Sequence, residues 1–201
     1  MSVAYKDDVV LKQRMELING QIVMMSPRPA INHSRISGNI FREFSVYLKG
    51  KTCEAFGDGV DVYLNKDNRF MPDCMIVCNK DIIKSNGIYG SPDLVVEVLS
   101  LSTMKYDIGK KKIAYEKAKV KEYWIVNPFA QTVEVYLNTE NGFELDNVYH
   151  NYTDKEIIEN EALANDDRAK IIIDMQIKVT VCDNLIVQVK DIFEHITFYQ
   201  K

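Results

Sequence analysis

Apolar positions along the chain recur every second residue in some stretches and about every fourth residue in others. Residues 15–25, MELINGQIVMM, predict a β-hairpin because two apolar runs flank the turn pair Asn19-Gly20. Residues 32–49 predict a helix with one apolar stripe. The stripe consists of Ile36, Ile40, Phe44 and Leu48. Residues 53–64 and 69–78 then predict two strands.

Residues 91–126 have the strongest pattern, and the rest of the chain is organised around them. Within this stretch, PDLVVEVLS predicts a strand that is apolar on both faces. A capped amphipathic helix follows, and EYWIV predicts the next strand. Both faces of the first strand must therefore be covered by other elements.

The C-terminal third predicts further strands. Residues 132–139 alternate between apolar and polar, and residues 142–149 pair with them as a hairpin across Asn141-Gly142. Residues 177–189 contain two more strand-like runs. The order from residue 32 to 126 is helix, strand, strand, strand, helix, strand, which predicts a mixed α/β fold with additional N- and C-terminal β-hairpins.

We expect one domain over residues 1–201. Its parts are a core at about 31–127, an N-terminal hairpin at about 15–25 and a β-rich extension at about 131–196.

Composition restricts the class of protein. Apolar residues make up 46% of the 201 residues, which is enough for a substantial core. There is no membrane-length apolar run, and the N-terminus lacks the pattern of a signal peptide, so the expected location is cytoplasmic. The net charge of −4 argues against nucleic-acid binding through overall positive charge, although it permits a locally basic cleft.

The chain has four cysteines, Cys53, Cys74, Cys78 and Cys182. They form no CxxC pair, and no His-x₃₋₅-His sequence accompanies them. We expect buried free thiols rather than zinc ligands or a disulfide.

Two carboxylates interrupt apolar strands. Glu97 shares a strand face with Val95 and Leu99, and Asp73 follows Pro72 in another apolar run. A buried carboxylate without a partner would be costly or would remain protonated. If the two strands are neighbours, the carboxylates converge, and a divalent cation that prefers oxygen ligands, Mg²⁺ or Mn²⁺, would relieve their repulsion.

A lysine lies on the predicted buried face of the second helix. At about 100° per residue, one arc of the helix faces inward. This arc consists of Asp107, Ile108, Lys111, Ala114, Tyr115 and Ala118. Lys110 and Lys112 point to either side, so Lys111 alone of the three faces the sheet that carries Glu97. Two acids and an inward lysine suit metal-assisted phosphodiester hydrolysis, in which the lysine orients the attacking water or offsets charge.

These residues resemble motifs of the PD-(D/E)XK nuclease superfamily. Pro72-Asp73 is similar to the PD element, and Glu97-Val98-Leu99 is similar to (D/E)XK, with leucine in the lysine position. The helix from Asp107 to Tyr115, which carries Lys111, looks like the migrated-lysine version in the putative restriction endonuclease family. The MELINGQIV, PDLVVEVLS and VKEYWIVNP segments also resemble that family.

The resemblance implies a divalent-metal-dependent endonuclease. Asp73 and Glu97 would hold the metal, with the Val98 backbone carbonyl as a further ligand, and Lys111 would position the water. Asp107, Tyr115 and His33 would support the site. The implied substrate is DNA, with RNA as an alternative, and the implied assembly is a homodimer without membrane contact.

Structural roles for the same residues remain open at this point. Asp73 and Glu97 could form ion pairs with Arg69, Lys105 or Lys111, and Lys111 could extend its ammonium to solvent. Asp107 could be a helix-dipole acid, Tyr115 a packing residue and His33 a capping residue. Glu16 and Glu43 rank low as further acids. The alternative function is a non-catalytic module, binding nucleic acid or protein, on the same fold.

Overall fold

The computed structural model of this protein describes residues 14–25 and 29–197. Its strands are β1 (Met15–Ile18), β2 (Gln21–Met24), β3 (Glu54–Gly57), β4 (Val62–Asn65), β5 (Asn68–Phe70), β6 (Cys74–Val77), β7 (Ile83–Lys84), β8 (Gly87–Tyr89), β9 (Leu94–Val98), β10 (Glu122–Asn127), β11 (Thr132–Thr139), β12 (Gly142–His150), β13 (Gln176–Lys178) and β14 (Ile186–Gln188).

Four helices and two 3₁₀ turns, Lys80–Ile82 and Asn165–Asp167, accompany these strands in the described residues. The helices are α1 (Ile31–Leu48), α2 (residues 104–117), α3 (Asp154–Glu161) and α4 (Val189–Ile192). Helix α2 consists of three consecutive segments, Met104–Tyr106, Asp107–Lys111 and Lys112–Lys117, of which the middle one has π-helical hydrogen bonding.

The central sheet has the strand order β12-β11-β10-β9-β6-β3. Strands β9 and β10 are parallel, and α2 forms the connection between them. Strand β9 is antiparallel to β6, which in turn is antiparallel to β3. With α1 placed before β3, the predicted order of helix, three strands, helix and strand is confirmed in this sheet.

A second sheet contains β2-β1-β5-β4-β8-β7. The hairpin of β1 and β2 is present as predicted, with Asn19 and Gly20 at φ 51° and 76°, the positive values that a tight two-residue hairpin turn requires. The predicted strands 53–64 and 69–78 are wrong as continuous elements, because each is divided between the two sheets. Gly59 at φ 97° interrupts the first, and Pro72, which has no N–H for a ladder, interrupts the second.

Apolar side chains cover both faces of the central sheet, as the sequence of β9 predicts. One face packs Leu94, Val96 and Val98 against α1 and Trp124. The other face packs Val95 and Leu99 with side chains of α2 and the second sheet. Each charged residue in this second layer is therefore shielded from water.

The prediction of four free thiols is wrong for two of the cysteines. Cys53 and Cys78 form a disulfide, whereas Cys74 and Cys182 are buried free thiols. The antiparallel pairing of Glu54 with Val77 places the next residues outward, Cys53 and Cys78, opposite each other. This long-range register is not visible in the local sequence pattern.

Over residues 14–25 and 29–197, no helix combines the length and the apolar character that crossing a membrane requires.

Candidate active site

Lys111 lies at the centre of a buried acidic cluster. Its Nζ atom is 2.7 Å from Glu97 Oε1, 3.1 Å from Glu16 Oε1 and 3.2 Å from Asp107 Oδ1. The lysine side chain is only 1% exposed. The suggestion that its ammonium reaches solvent is therefore wrong. Three carboxylates take the place of water around an ammonium with three donors.

The π-helical segment of α2 aims Lys111 at the sheet. A π-helical turn is wider than an α-helical turn, so the assumed rotation of about 100° per residue does not hold there. Asp107, Lys111, Ala114 and Tyr115 are buried as predicted, but Ile108 is 50% exposed, which corrects its predicted inward position. The Tyr123 hydroxyl donates a hydrogen bond of 3.0 Å to the Asp107 carbonyl and so ties this segment to β10.

Glu97 projects from β9 into the cluster. Its Oε1 atom accepts a hydrogen bond of 3.0 Å from the fully buried Tyr115 hydroxyl, in addition to its contact with Lys111. Burial raises the pKa of Glu97 well above its ordinary value. Lys111 opposes this shift, while Asp107, Asp73 and Glu16 add to it. The surroundings thus favour a proton or another cation at Glu97.

Asp73 lies beside Glu97 on the neighbouring strand. The pairing of Cys74 with Val96 continues outward to bring Asp73 opposite Glu97, on the same sheet face. Asp73 Oδ2 accepts a hydrogen bond of 2.7 Å from the Val98 N–H and lies 3.2 Å from His33 Nε2. The two strand acids therefore lie opposite each other on neighbouring strands, with His33 and Val98 in contact with Asp73.

His33 is mostly buried at the start of α1. Burial lowers its pKa, but the hydrogen bond and charge of Asp73 outweigh burial, so the net pKa of His33 is raised. Its position is fixed by Asp73 rather than by a capping interaction, since no side chain caps α1.

Glu16 is the site residue that sequence reasoning ranked too low. It is 2% exposed, and its Oε1 accepts hydrogen bonds from the Met71 N–H at 2.8 Å and from Lys111 at 3.1 Å. The sequence does contain one sign that Glu16 is buried, because Glu16 shares a strand face with the core residue Ile18. Glu43, which ranked equally low, pairs with Arg42 on α1 instead.

The cluster has more negative than positive charge. Glu16, Glu97 and Asp107 surround one ammonium, which leaves two net negative charges when all are ionised. Asp107 Oδ1 is also buried without a hydrogen bond of good geometry. Carboxylate oxygens are the donor type that Mg²⁺ and Mn²⁺ prefer, so these side chains suit a divalent cation in charge and donor type, although the Lys111 ammonium lies between them in this structure.

The present arrangement of these acids is centred on Lys111. Within the described residues, no three or more His, Cys, Asp and Glu side chains are grouped so as to hold a metal ion. The predicted ion pair of Glu97 with Lys111 exists, whereas Arg69 lies 3.7 Å from Asp61 and Lys105 is exposed.

Comparisons with known proteins give the family and the fold of this chain. The family described as Uma2, putative restriction endonuclease, matches residues 10–168. The chain belongs to this family. An uncharacterized protein of Synechocystis sp. is 31% identical over 133 residues, covering 65% of this chain and 70% of that protein. The crystal structure of a putative nuclease belonging to DUF820 from Anabaena variabilis has a TM-score of 0.67 at 20% identity and covers 89% of both chains.

The predicted restriction endonuclease-like fold is thereby confirmed. In this member of the putative restriction endonuclease family, Asp73 and His33 line a cavity of about 650 Å³. Glu97 and Lys111 are not among the lining residues, because they lie deeper in the core. A ligand in the cavity would meet the Asp73 carboxylate first.

Proposed function

We propose that this protein is a divalent-metal-dependent endonuclease that hydrolyses DNA phosphodiester bonds. The observation that carries the proposal is the burial of Lys111 among Glu16, Glu97 and Asp107, next to Asp73 at a cavity. Buried ionisable groups with strongly shifted pKa values, such as Glu97 and Lys111, are typical of catalytic sites, and Asp73, on the strand next to Glu97, lines the cavity. Membership of a putative restriction endonuclease family supports the same chemistry.

In this proposal Asp73 and Glu97, with the Val98 carbonyl, hold Mg²⁺ or Mn²⁺. When bound, the metal would polarise the phosphate and lower the pKa of a water ligand. The chain's own contribution is positioning and charge. Lys111 orients the attacking water and offsets the negative charge that develops on the phosphate oxygens. The attacking water gives up one proton and forms a new bond to phosphorus, one bridging P–O bond breaks, and the leaving oxygen takes up one proton.

Asp107, Glu16 and Tyr115 act as positioning residues in this scheme. Asp107 and Glu16 hold the Lys111 ammonium, and the Tyr115 hydroxyl fixes Glu97 Oε1. His33 holds Asp73 through its Nε2 atom. Fixed neighbours of this kind keep reacting groups in productive geometry without reorganisation.

A plasmid-nicking assay with Mg²⁺ or Mn²⁺ tests the function. We expect nicking by the wild type and a loss of roughly 10²–10³-fold in Asp73→Asn, Glu97→Gln and Lys111→Met. Asp93→Asn is the matched control for a buried strand acid, because Asp93 binds the Cys78 N–H and Lys121 instead of the cluster. Lys110→Met is the control for Lys111→Met.

Equal nicking by wild type and all three site variants would contradict the proposal. The non-catalytic module is the second candidate, and the closed arrangement of acids around Lys111 favours it. It predicts no nicking by any of these proteins.

An RNA transcript of the plasmid sequence, tested in parallel, decides between DNA and RNA as the substrate.

Cleavage of both strands commonly uses two sites, so the proposal includes a homodimer. Sedimentation of the full chain should then give twice the mass of 23.2 kDa. A monomer that still makes double-strand breaks would contradict the proposed homodimer.

A further inference from the structure

The cavity beside Asp73 is lined mainly by apolar side chains. The apolar lining residues include Ile31, Met71, Leu99, Leu101, Pro128 and Phe129. Its volume of about 650 Å³ is in the range of pockets that enclose one small organic ligand. A site that only held a phosphate backbone would not need an apolar wall of this size.

The charges of the lining do not suit a duplex backbone. Within the described residues, the charged side chains of the lining are Arg14, His33, Asp58 and Asp73. Arg14 pairs with Asp58, and His33 lies 3.2 Å from Asp73. Both cations are thus engaged by carboxylates, whereas binding of a phosphate backbone, single or double, depends on basic side chains that neutralise phosphates. The described part of the lining therefore suits a nucleotide through its base rather than through its phosphate.

Phe129 provides a flat apolar surface at this cavity. It is 60% exposed, in the turn that follows β10. Asn127 Oδ1 holds that turn by accepting hydrogen bonds from the Phe129 N–H at 3.0 Å and the Ala130 N–H at 3.1 Å. These bonds hold the backbone of the turn, and the exposed aromatic ring that it carries beside the cavity is of the kind on which an unpaired nucleobase stacks.

A cluster of three hydroxyl groups, from Ser100, Ser102 and Thr103, adds polar atoms to the lining. Ser100 Oγ lies 3.0 Å from Ser102 Oγ and 2.9 Å from Thr103 Oγ1. Each hydroxyl can both donate and accept, so capacity for further hydrogen bonds remains. A nucleobase has both features that match this lining, namely apolar faces and polar edges.

We infer that the cavity receives an unpaired nucleotide next to the scissile phosphate, with its base stacked on Phe129. This inference rests on the proposed function and specifies its substrate as single-stranded or locally unpaired nucleic acid. A perfect duplex must first extrude a nucleotide, which costs unstacking and unpairing energy, whereas a bulge or single strand has an unpaired nucleotide already.

The test uses the full chain and three labelled oligonucleotides of one sequence: a single strand, a perfect duplex and a duplex with one bulged nucleotide. With Mn²⁺, we expect the single strand and the bulge to be cut at least tenfold faster than the duplex. Phe129→Ala should reduce cleavage of the two unpaired substrates about tenfold, mainly through KM. Phe129→Trp should retain it. Leu145→Ala, an exposed apolar control on β12, should match the wild type.

A second measurement separates this inference from the proposed function. Fluorescence anisotropy in EDTA reports binding of the same oligonucleotides without metal-dependent cleavage. Preferential binding of the unpaired forms that Phe129→Ala weakens, without cleavage of any substrate, would support the cavity's role and contradict the nuclease proposal. Cleavage of the duplex as fast as the bulge would overturn the inference and leave the nuclease proposal standing. No cleavage and no preferential binding would overturn the inference.

Discussion

At the scale of single residues, the Lys111 ammonium is held in the core by the carboxylates of Glu16, Glu97 and Asp107. Each ionised group depends on the others, because none of them contacts bulk water. Removing one member of a buried ion pair leaves an uncompensated buried charge, which is usually more destabilising than losing a surface pair. This dependence allows two predictions.

We predict that Lys111→Met lowers the free energy of unfolding by about 3–5 kcal/mol near neutral pH. The loss should shrink on acidification, because protonation of the stranded carboxylates removes their charge. Urea unfolding at both pH values measures this. Lys110→Met, at an exposed position, should change stability by less than about 0.5 kcal/mol. Similar small effects in both variants would show that Lys111 is not held by the acids.

A second prediction concerns the raised pKa of Glu97. Its folded pKa lies well above the ordinary value of 4.5, so the folded state binds this proton more tightly than the unfolded state. Stability should therefore fall as pH rises from the unfolded pKa towards the folded pKa. The free energy of unfolding should fall less steeply with pH in Glu97→Gln, because the titrating carboxyl is absent there. Urea unfolding over this pH range with parallel slopes for the two proteins would contradict the shift.

At the scale of elements, the π-helical segment Asp107–Lys111 decides which side chains of α2 reach the sheet. The Tyr123 hydroxyl anchors this segment through the Asp107 carbonyl. We predict that Tyr123→Phe costs about 1–3 kcal/mol, because it leaves a buried carbonyl without its donor. Nicking should also fall, since Lys111 is held less firmly. Tyr136→Phe, on β11, removes a half-buried hydroxyl that binds Glu134 and should affect nicking little. Equal losses of nicking in both variants would contradict this role.

Local patterns in the sequence predicted most elements and the hairpin pairings, but not the pairing of strands that are far apart in sequence. The Asn19-Gly20 hairpin, α1 and the apolar strand β9 follow from turn chemistry and periodicity, which are local. The division of 53–64 and 69–78 between two sheets depends on Gly59 and Pro72, which end one ladder and start another.

The candidate site shows the same limit. The sequence singles out Asp73, Glu97 and Lys111 as candidates because each places a charge in an apolar pattern. Glu16 was ranked low because its neighbours in the cluster are far away in sequence, and MELI gives only the weak signal of a strand face shared with Ile18. The π-helical geometry that turns Ile108 outward also depends on tertiary contacts, and helical periodicity cannot show it.

At the scale of the whole molecule, the disulfide between Cys53 and Cys78 closes a loop with a sequence separation of 25 residues. We predict that denatured, unreduced protein has two titratable thiols, from Cys74 and Cys182, rather than four. Cys53→Ala should then lower stability by about 2–4 kcal/mol under non-reducing conditions. Four titratable thiols in the unreduced protein would contradict the pairing.

Binding of a divalent cation is the claim on which the proposed chemistry depends. Calorimetric titration of Mn²⁺ into the metal-free protein tests it most directly. We predict one site per chain, lost in Asp73→Asn and in Glu97→Gln and retained in Asp93→Asn. No binding by the wild type, or equal binding by all four proteins, would contradict a metal site at these two carboxylates.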